Sequence, residues 1–295
     1  MAEHSPLIDE AGAQSLIRKN GWLLMARSEA VRDALFSDAD RYHATFDVKY
    51  EKLDGNALAA MEPDLQIAAA GALRWTEPWT VADPGGLVAA YARLFKSLGG
   101  TIKTADALPI REAGVGWSAA GETAADLVVA LGPWSDAAIR PLGYRLPLFI
   151  KRGYHMHYSM QPGRKLNNWL LDTEPGYLLS PMLLGIRLTT GAEFAPLGSP
   201  ATPVQLEGAE RFARTVLPLG ERIDSHPWLG NRPCTPDMKP VIGSAPRHKH
   251  LWFAFGHAHH GFTLGPVTGR LMAESITGER PFLDLRAFGA ERFGR

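Results

Sequence analysis

Residues 250–278 constrain the fold most. His250-Leu251-Trp252-Phe253-Ala254-Phe255 is an apolar run of strand length, suited to burial on both faces of a sheet. It stops at Gly256. A turn over Gly256–Gly261 then opens a helix over Thr263–Thr277, with Gly278 after it. A buried strand that turns through glycine into a helix is a building unit of layered α/β domains. The glycines allow a ligand to approach the backbone, and the first turn of the helix offers unpaired N–H groups to anionic or carbonyl oxygens. Small residues there let a flat ring system lie close. His257, His259 and His260 crowd the same turn, but no acidic partners accompany them, so no metal is expected. On its own, such a turn is more often a plain tight connection.

The rest of the chain alternates between two grammars. Residues 1–77 read as helices and connecting strands: a helix over Asp9–Asn20, a buried strand Trp22–Ala26, and a helix from Glu29 to about Phe36 capped by Ser28. Asp54 is placed to cap a further helix, Ala57–Met61. Residues 78–145 read as α/β: Asp83-Pro84-Gly85-Gly86 opens a helix, Thr101–Thr104 is a candidate strand, and Ala125–Leu131 is an apolar strand running into Gly132-Pro133-Trp134-Ser135. Residues 146–227 read as an antiparallel sheet, with strands Phe149–Met160, Asn168–Asp172, Tyr177–Met182 and Gly185–Phe194, followed by a helix Val204–Leu217. Residues 228–295 return to α/β. The expected fold is therefore α/β plus α+β, one lobe interrupted by the other.

Composition narrows the function. Lys+Arg and Asp+Glu are both 31, and this balance argues against a generally basic nucleic-acid binder. The single cysteine, Cys234, excludes a disulfide framework or a cysteine-based zinc site within the chain. No apolar run reaches the roughly 20 residues of a membrane span, and residues 1–6 lack a leader-like pattern. A soluble, cytoplasmic protein, at most peripherally membrane-associated, is expected. A third segment adds chemistry: Arg232 lies in a Pro-stiffened loop, Gly230-Asn231-Arg232-Pro233-Cys234-Thr235-Pro236-Asp237, and a rigidly held Arg can grip a carboxylate bidentately. The commoner fate of an Arg is a surface ion pair.

Together these segments resemble the FAD-dependent oxidoreductases of the D-amino-acid oxidase superfamily, in the D-amino-acid dehydrogenase and glycine oxidase branch. The carrying motifs are Gly-His-x-x-x-Gly-x-Thr-x-Gly-Pro-x-Thr-Gly at 256–269 and Arg-Pro-x-x-Pro-Asp-x-x-Pro-x-Ile-Gly at 232–243, with the 125–135 strand and the Asp83-Pro84 helix entry. The resemblance implies a doubly wound FAD/NAD(P)-binding domain interleaved with a substrate domain built on the antiparallel sheet. It implies non-covalent FAD near Gly132, Trp134, Ser135, Gly256, His257, Gly261, Phe262, Thr263, Leu264 and Gly265. Arg232 matches the position that holds the substrate carboxylate. His259 and His260 would face the flavin edge or the substrate pocket, with His260 the candidate catalytic residue. Tyr154 and Tyr177 are candidates for substrate contact. The implied reaction moves a hydride from the substrate Cα to flavin N5, and a quinone or oxygen takes the electrons.

One departure stands against that pattern. Family members begin with a Gly-x-Gly-x-x-Gly fingerprint for the FAD pyrophosphate, in a unit of roughly 30 residues, and this sequence contains none. The cofactor domain is therefore expected to be incomplete. Besides an amino-acid-oxidising flavoenzyme, two other readings remain: a non-catalytic remnant, and one subunit of a split enzyme whose partner supplies the fingerprint.

Overall fold

A computed structural model describes residues 1–294. Its largest element is a nine-stranded sheet, in the order Leu219–Arg222, Phe149–Met160, Gly185–Phe194, Tyr177–Met182, Trp169–Asp172, Trp22–Ala26, Gly71–Trp75, Tyr50–Asp54. Trp228–Cys234 pairs with the first half of Phe149–Met160, alongside Leu219–Arg222. Every pairing is antiparallel except Trp169–Asp172 with Trp22–Ala26. The expected strands Trp22–Ala26, Phe149–Met160, Tyr177–Met182 and Gly185–Phe194 are met end to end. Pro-Gly turns bound the hairpins and alternation fixes which face is buried.

One face of this sheet is dry. Met156, Tyr158, Leu170, Leu179 and Leu188 pack beneath helix Val204–Val216, which contributes Leu206, Ala209 and Ala213. The opposite face carries the candidate site.

A second, three-stranded sheet joins Val241–Ser244 to Leu251–Phe255 antiparallel, and Leu251–Phe255 to Leu127–Val129 parallel. Phe253, Phe255, Val129, Ile139 and Tyr144 form its core. Leu251–Phe255 turns through Gly256 (φ +79°) into helix Gly261–Ile276, as the sequence suggests. Helix Pro84–Ser97 is entered through Asp83, whose carboxylate accepts from the Gly86 N–H at 2.9 Å. Ser28 and Asp54 cap their helices in the same way.

Several expectations change. Thr101–Thr104 is not a strand: these residues are exposed and form no ladder. The helix expected over Asp9–Asn20 is instead His4–Glu10, broken at Gly12 (φ +65°), before a short strand Ile17–Arg18. This first helix does not join the large sheet. Ile8 and Ala13 pack on Leu87 and Ala90, and His4 bonds both Tyr91 Oη (2.9 Å) and the Thr263 carbonyl (3.1 Å). The helix after Ser28 runs on to Phe46, where Asp47 turns left-handed (φ 53°). Arg232 lies in a strand rather than a loop, so the chain leaves the large sheet after Cys234, not at residue 228. Pro233 fits this edge strand because its missing N–H deprives no neighbour.

Candidate active site

Arg232 and Lys151 are direct cross-strand partners, so their side chains leave the same face of the large sheet. The Arg232 guanidinium lies over Gly153 on the adjacent strand: a Cβ there would fall 2.3 Å from Nη2 and 2.5 Å from Nη1. Nη1 reaches on toward the Gly191 carbonyl at 3.4 Å. Glycine at 153 is thus what allows this long side chain to lie flat across the sheet. The half-buried guanidinium has no carboxylate partner among the described residues, and burial pulls it below its ordinary pKa. A buried cation without a counter-ion is costly unless a ligand supplies one.

The pocket around it measures about 280 Å³. It is floored by Leu171, Leu178, Thr189 and Gly191 and bordered by His259 from the turn after Gly256. Burial, His260, Arg232 and Lys151 all hold His259 below the usual imidazole pKa. It is therefore neutral at pH 7, able to accept a hydrogen bond.

Beside this pocket, helix Gly261–Ile276 and the small sheet enclose a cleft of about 450 Å³. Gly and Ala make up much of its lining (Ala130, Gly132, Ala254, Gly256, Ala258, Gly261, Gly265 and Gly269), completed by Val128, Pro233, Phe255, His257, Thr268 and Met272. The Cβ directions of Gly132, Gly265 and Gly269 point into open space. His257 Nε2 lies 2.9 Å from Thr268 Oγ1, and burial lowers the His257 pKa. Ser135 is wholly buried, and its hydroxyl has no hydrogen-bond partner among the described residues. A mostly apolar slot, glycine-rich along the first three turns of this helix, leaves room for a flat ring, and these residues fit a part of FAD.

Of the residues proposed for the cofactor, Gly132, Gly256, His257, Gly261 and Gly265 line this cleft, and Ser135 is buried close to Gly132 in sequence. Phe262 and Thr263 instead border a separate apolar cavity with Trp79, Trp169 and His4. Leu264 is half-buried on the same helix, lining none of these cavities, and Trp134 is 57% exposed. His259 borders the Arg232 pocket. His260 is exposed, its ring 3.7 Å from that of His259.

The two tyrosines are corrected. Tyr154 is buried on the core face, donating to Glu193 Oε2 (2.8 Å) and accepting from the Thr202 N–H (2.8 Å). Plain alternation puts Tyr154 on the buried face with Arg152, Met156 and Tyr158, while the extra residue of the local bulge lies in the partner strand, between Thr190 and Glu193. Tyr177 is also core, donating to Asp172 Oδ2 (2.7 Å), which also binds Arg27 (2.6 Å). The neighbouring Leu178 faces the pocket instead. Lys151 was missed, because only its pairing with Arg232 brings it to the site.

Comparison with protein-family models matches residues 1–275 to the DAO family, described as FAD dependent oxidoreductase. The chain belongs to this family. Among curated relatives it is 28% identical to a D-amino-acid oxidase of Bradyrhizobium diazoefficiens, over 98% of this chain and 70% of that protein. It is 30% identical to a D-amino acid dehydrogenase of Cereibacter sphaeroides, over 94% of this chain and 65% of that protein. The chain thus spans about two thirds of the length of these relatives. Its fold matches glycine oxidase from Geobacillus kaustophilus with a TM-score of 0.84 and 24% identity, covering 99% of this chain and 80% of that one. No helix among the described residues is long and apolar enough to cross a membrane.

Proposed function

We propose that this chain serves the FAD-dependent oxidative deamination of a D-amino acid or a related small amino acid. One observation carries the reading: a half-buried, unpaired Arg232 in a pocket without acidic lining, next to a glycine-walled cleft that fits a flavin. The names of the relatives supply the D configuration and the choice between oxidase and dehydrogenase chemistry.

Arg232 grips the substrate carboxylate and fixes Cα against the cleft. His259, neutral and beside the pocket, accepts a hydrogen bond from the substrate amine. Leu171 and Leu178 exclude water from the side chain. FAD, when bound, would supply the two-electron acceptor for the Cα hydride, with a quinone or oxygen as the final acceptor; the substrate amine would lose its proton, and the imino acid so formed would be hydrolysed to a keto acid and ammonia. His260 has no contact that gives it a catalytic part.

Steady-state kinetics of Arg232→Leu test this reading. The expected result is a KM raised by roughly 100-fold, as for loss of a bidentate charged contact, with FAD content unchanged. An unchanged KM would overturn it.

A further inference from the structure

Arg232 is not the only cation of its pocket. Lys151, its direct cross-strand partner, lines the same 280 Å³ space. No aspartate or glutamate lines it. The acid nearest Lys151 in the sheet is Glu193, one residue before its partner Phe194. Its carboxylate is engaged on the other face by Arg152 (2.9 Å), Tyr154 (2.8 Å) and the Thr202 hydroxyl. Lys151 instead sits near the exposed Phe194 ring, 6.0 Å from its centroid, a weak contact that leaves its charge uncompensated. Two like charges side by side repel each other in a half-buried site. This arrangement is favoured when one carboxylate meets each cation.

We infer that the pocket takes an amino diacid: Arg232 holds the α-carboxylate, and Lys151 holds a second carboxylate on the substrate side chain. This assignment rests on the proposed role of Arg232 and adds the side-chain class that the site selects. Thr189 and Gly191 line the same pocket.

Equilibrium binding of substrate analogues without the amine tests the inference independently of turnover. Butyrate and succinate differ by the second carboxylate, and isothermal calorimetry on the full chain reads both. The parent protein is expected to bind succinate at least tenfold more tightly than butyrate. Lys151→Met should erase that preference while keeping butyrate affinity, and Lys151→Arg should retain it. Lys151 is half-buried at the pocket rim, and an unchanged melting temperature confirms that these variants fold. Equal binding of the two acids by the parent, or a preference that survives Lys151→Met, would overturn the diacid assignment. Arg232→Leu should lose both ligands. If it keeps butyrate affinity, the anchor reading itself fails, whatever Lys151 does. Failure of the parent to bind either acid would overturn both.

Discussion

The guanidinium of Arg232 lies on the backbone of Gly153, so close that a single added methyl group would overlap it. Gly153 is itself paired across the strands with Gly230, whose own Cβ position is covered by the Trp228 ring at 2.3 Å. Two facing glycines thus make a flat floor that two long side chains cross. Gly153→Ala places its Cβ against the movable end of an arginine rather than against backbone. We expect carboxylate affinity to fall by at least tenfold while the melting temperature changes little. Calorimetry and thermal melts on the same sample check both halves.

Gly269 offers the same separation of binding from stability at the other cavity. It lies within helix Gly261–Ile276, and its Cβ direction opens into the glycine-walled cleft. Glycine inside a helix costs ~0.5–1 kcal/mol relative to alanine. Gly269→Leu is therefore expected to preserve or raise stability yet abolish FAD uptake. Quenching of flavin fluorescence on titration reads the second effect.

The sheet was largely legible in the sequence because turn chemistry and alternation act locally. Phe149–Met160 and Tyr177–Gly185 are bounded by Pro-Gly turns or a short hairpin, and the glycine-turned strand–helix at 251–276 announces itself. What was not legible depends on pairing. Lys151 becomes a site residue only through its register with Arg232, and Tyr154 and Tyr177 fall to the core only once it is known which face of the sheet the helix Val204–Val216 covers. Helix 29–46 exceeded its expected length because its polar, exposed surface gives no stop signal before Asp47.

Glu62 anchors the loop leading into Trp169–Asp172. Its carboxylate is almost fully buried, and accepts from the backbone N–H groups of Asn167 and Asn168 and from Asn168 Nδ2, at 2.7–2.8 Å. Burial nonetheless raises its pKa. Glu62→Ala leaves those buried donors unpaired and should cost about 2 kcal/mol. Denaturant unfolding measures this loss.

His155 stacks on Trp228 (4.6 Å between centroids), with His157, Arg187 and Asp224 grouped around it. Burial, with the charges of Arg187 and His157, lowers its pKa to about 4. The unfolded chain, with an ordinary imidazole near 6.5, therefore binds a proton that the folded protein refuses between about 6.5 and 4. His155 thus supports the fold above 6.5, and that support is lost as pH falls toward 4. His155→Phe keeps the stacking and removes the titration. Its melting temperature should fall less than that of the parent between these two pH values, as a pair of pH-resolved melts would show.

The central claim joins Arg232 to a flavin through one substrate, and anaerobic reduction of the FAD-loaded protein tests that connection most directly. Amino acids are mixed in, and the loss of the visible flavin band is followed against concentration. The account expects the parent to bleach with a D-amino acid at low concentration, and Arg232→Leu to need roughly 100-fold more for the same bleaching. Bleaching of both proteins at the same concentration, or a flavin in the parent that no amino acid reduces, would contradict it.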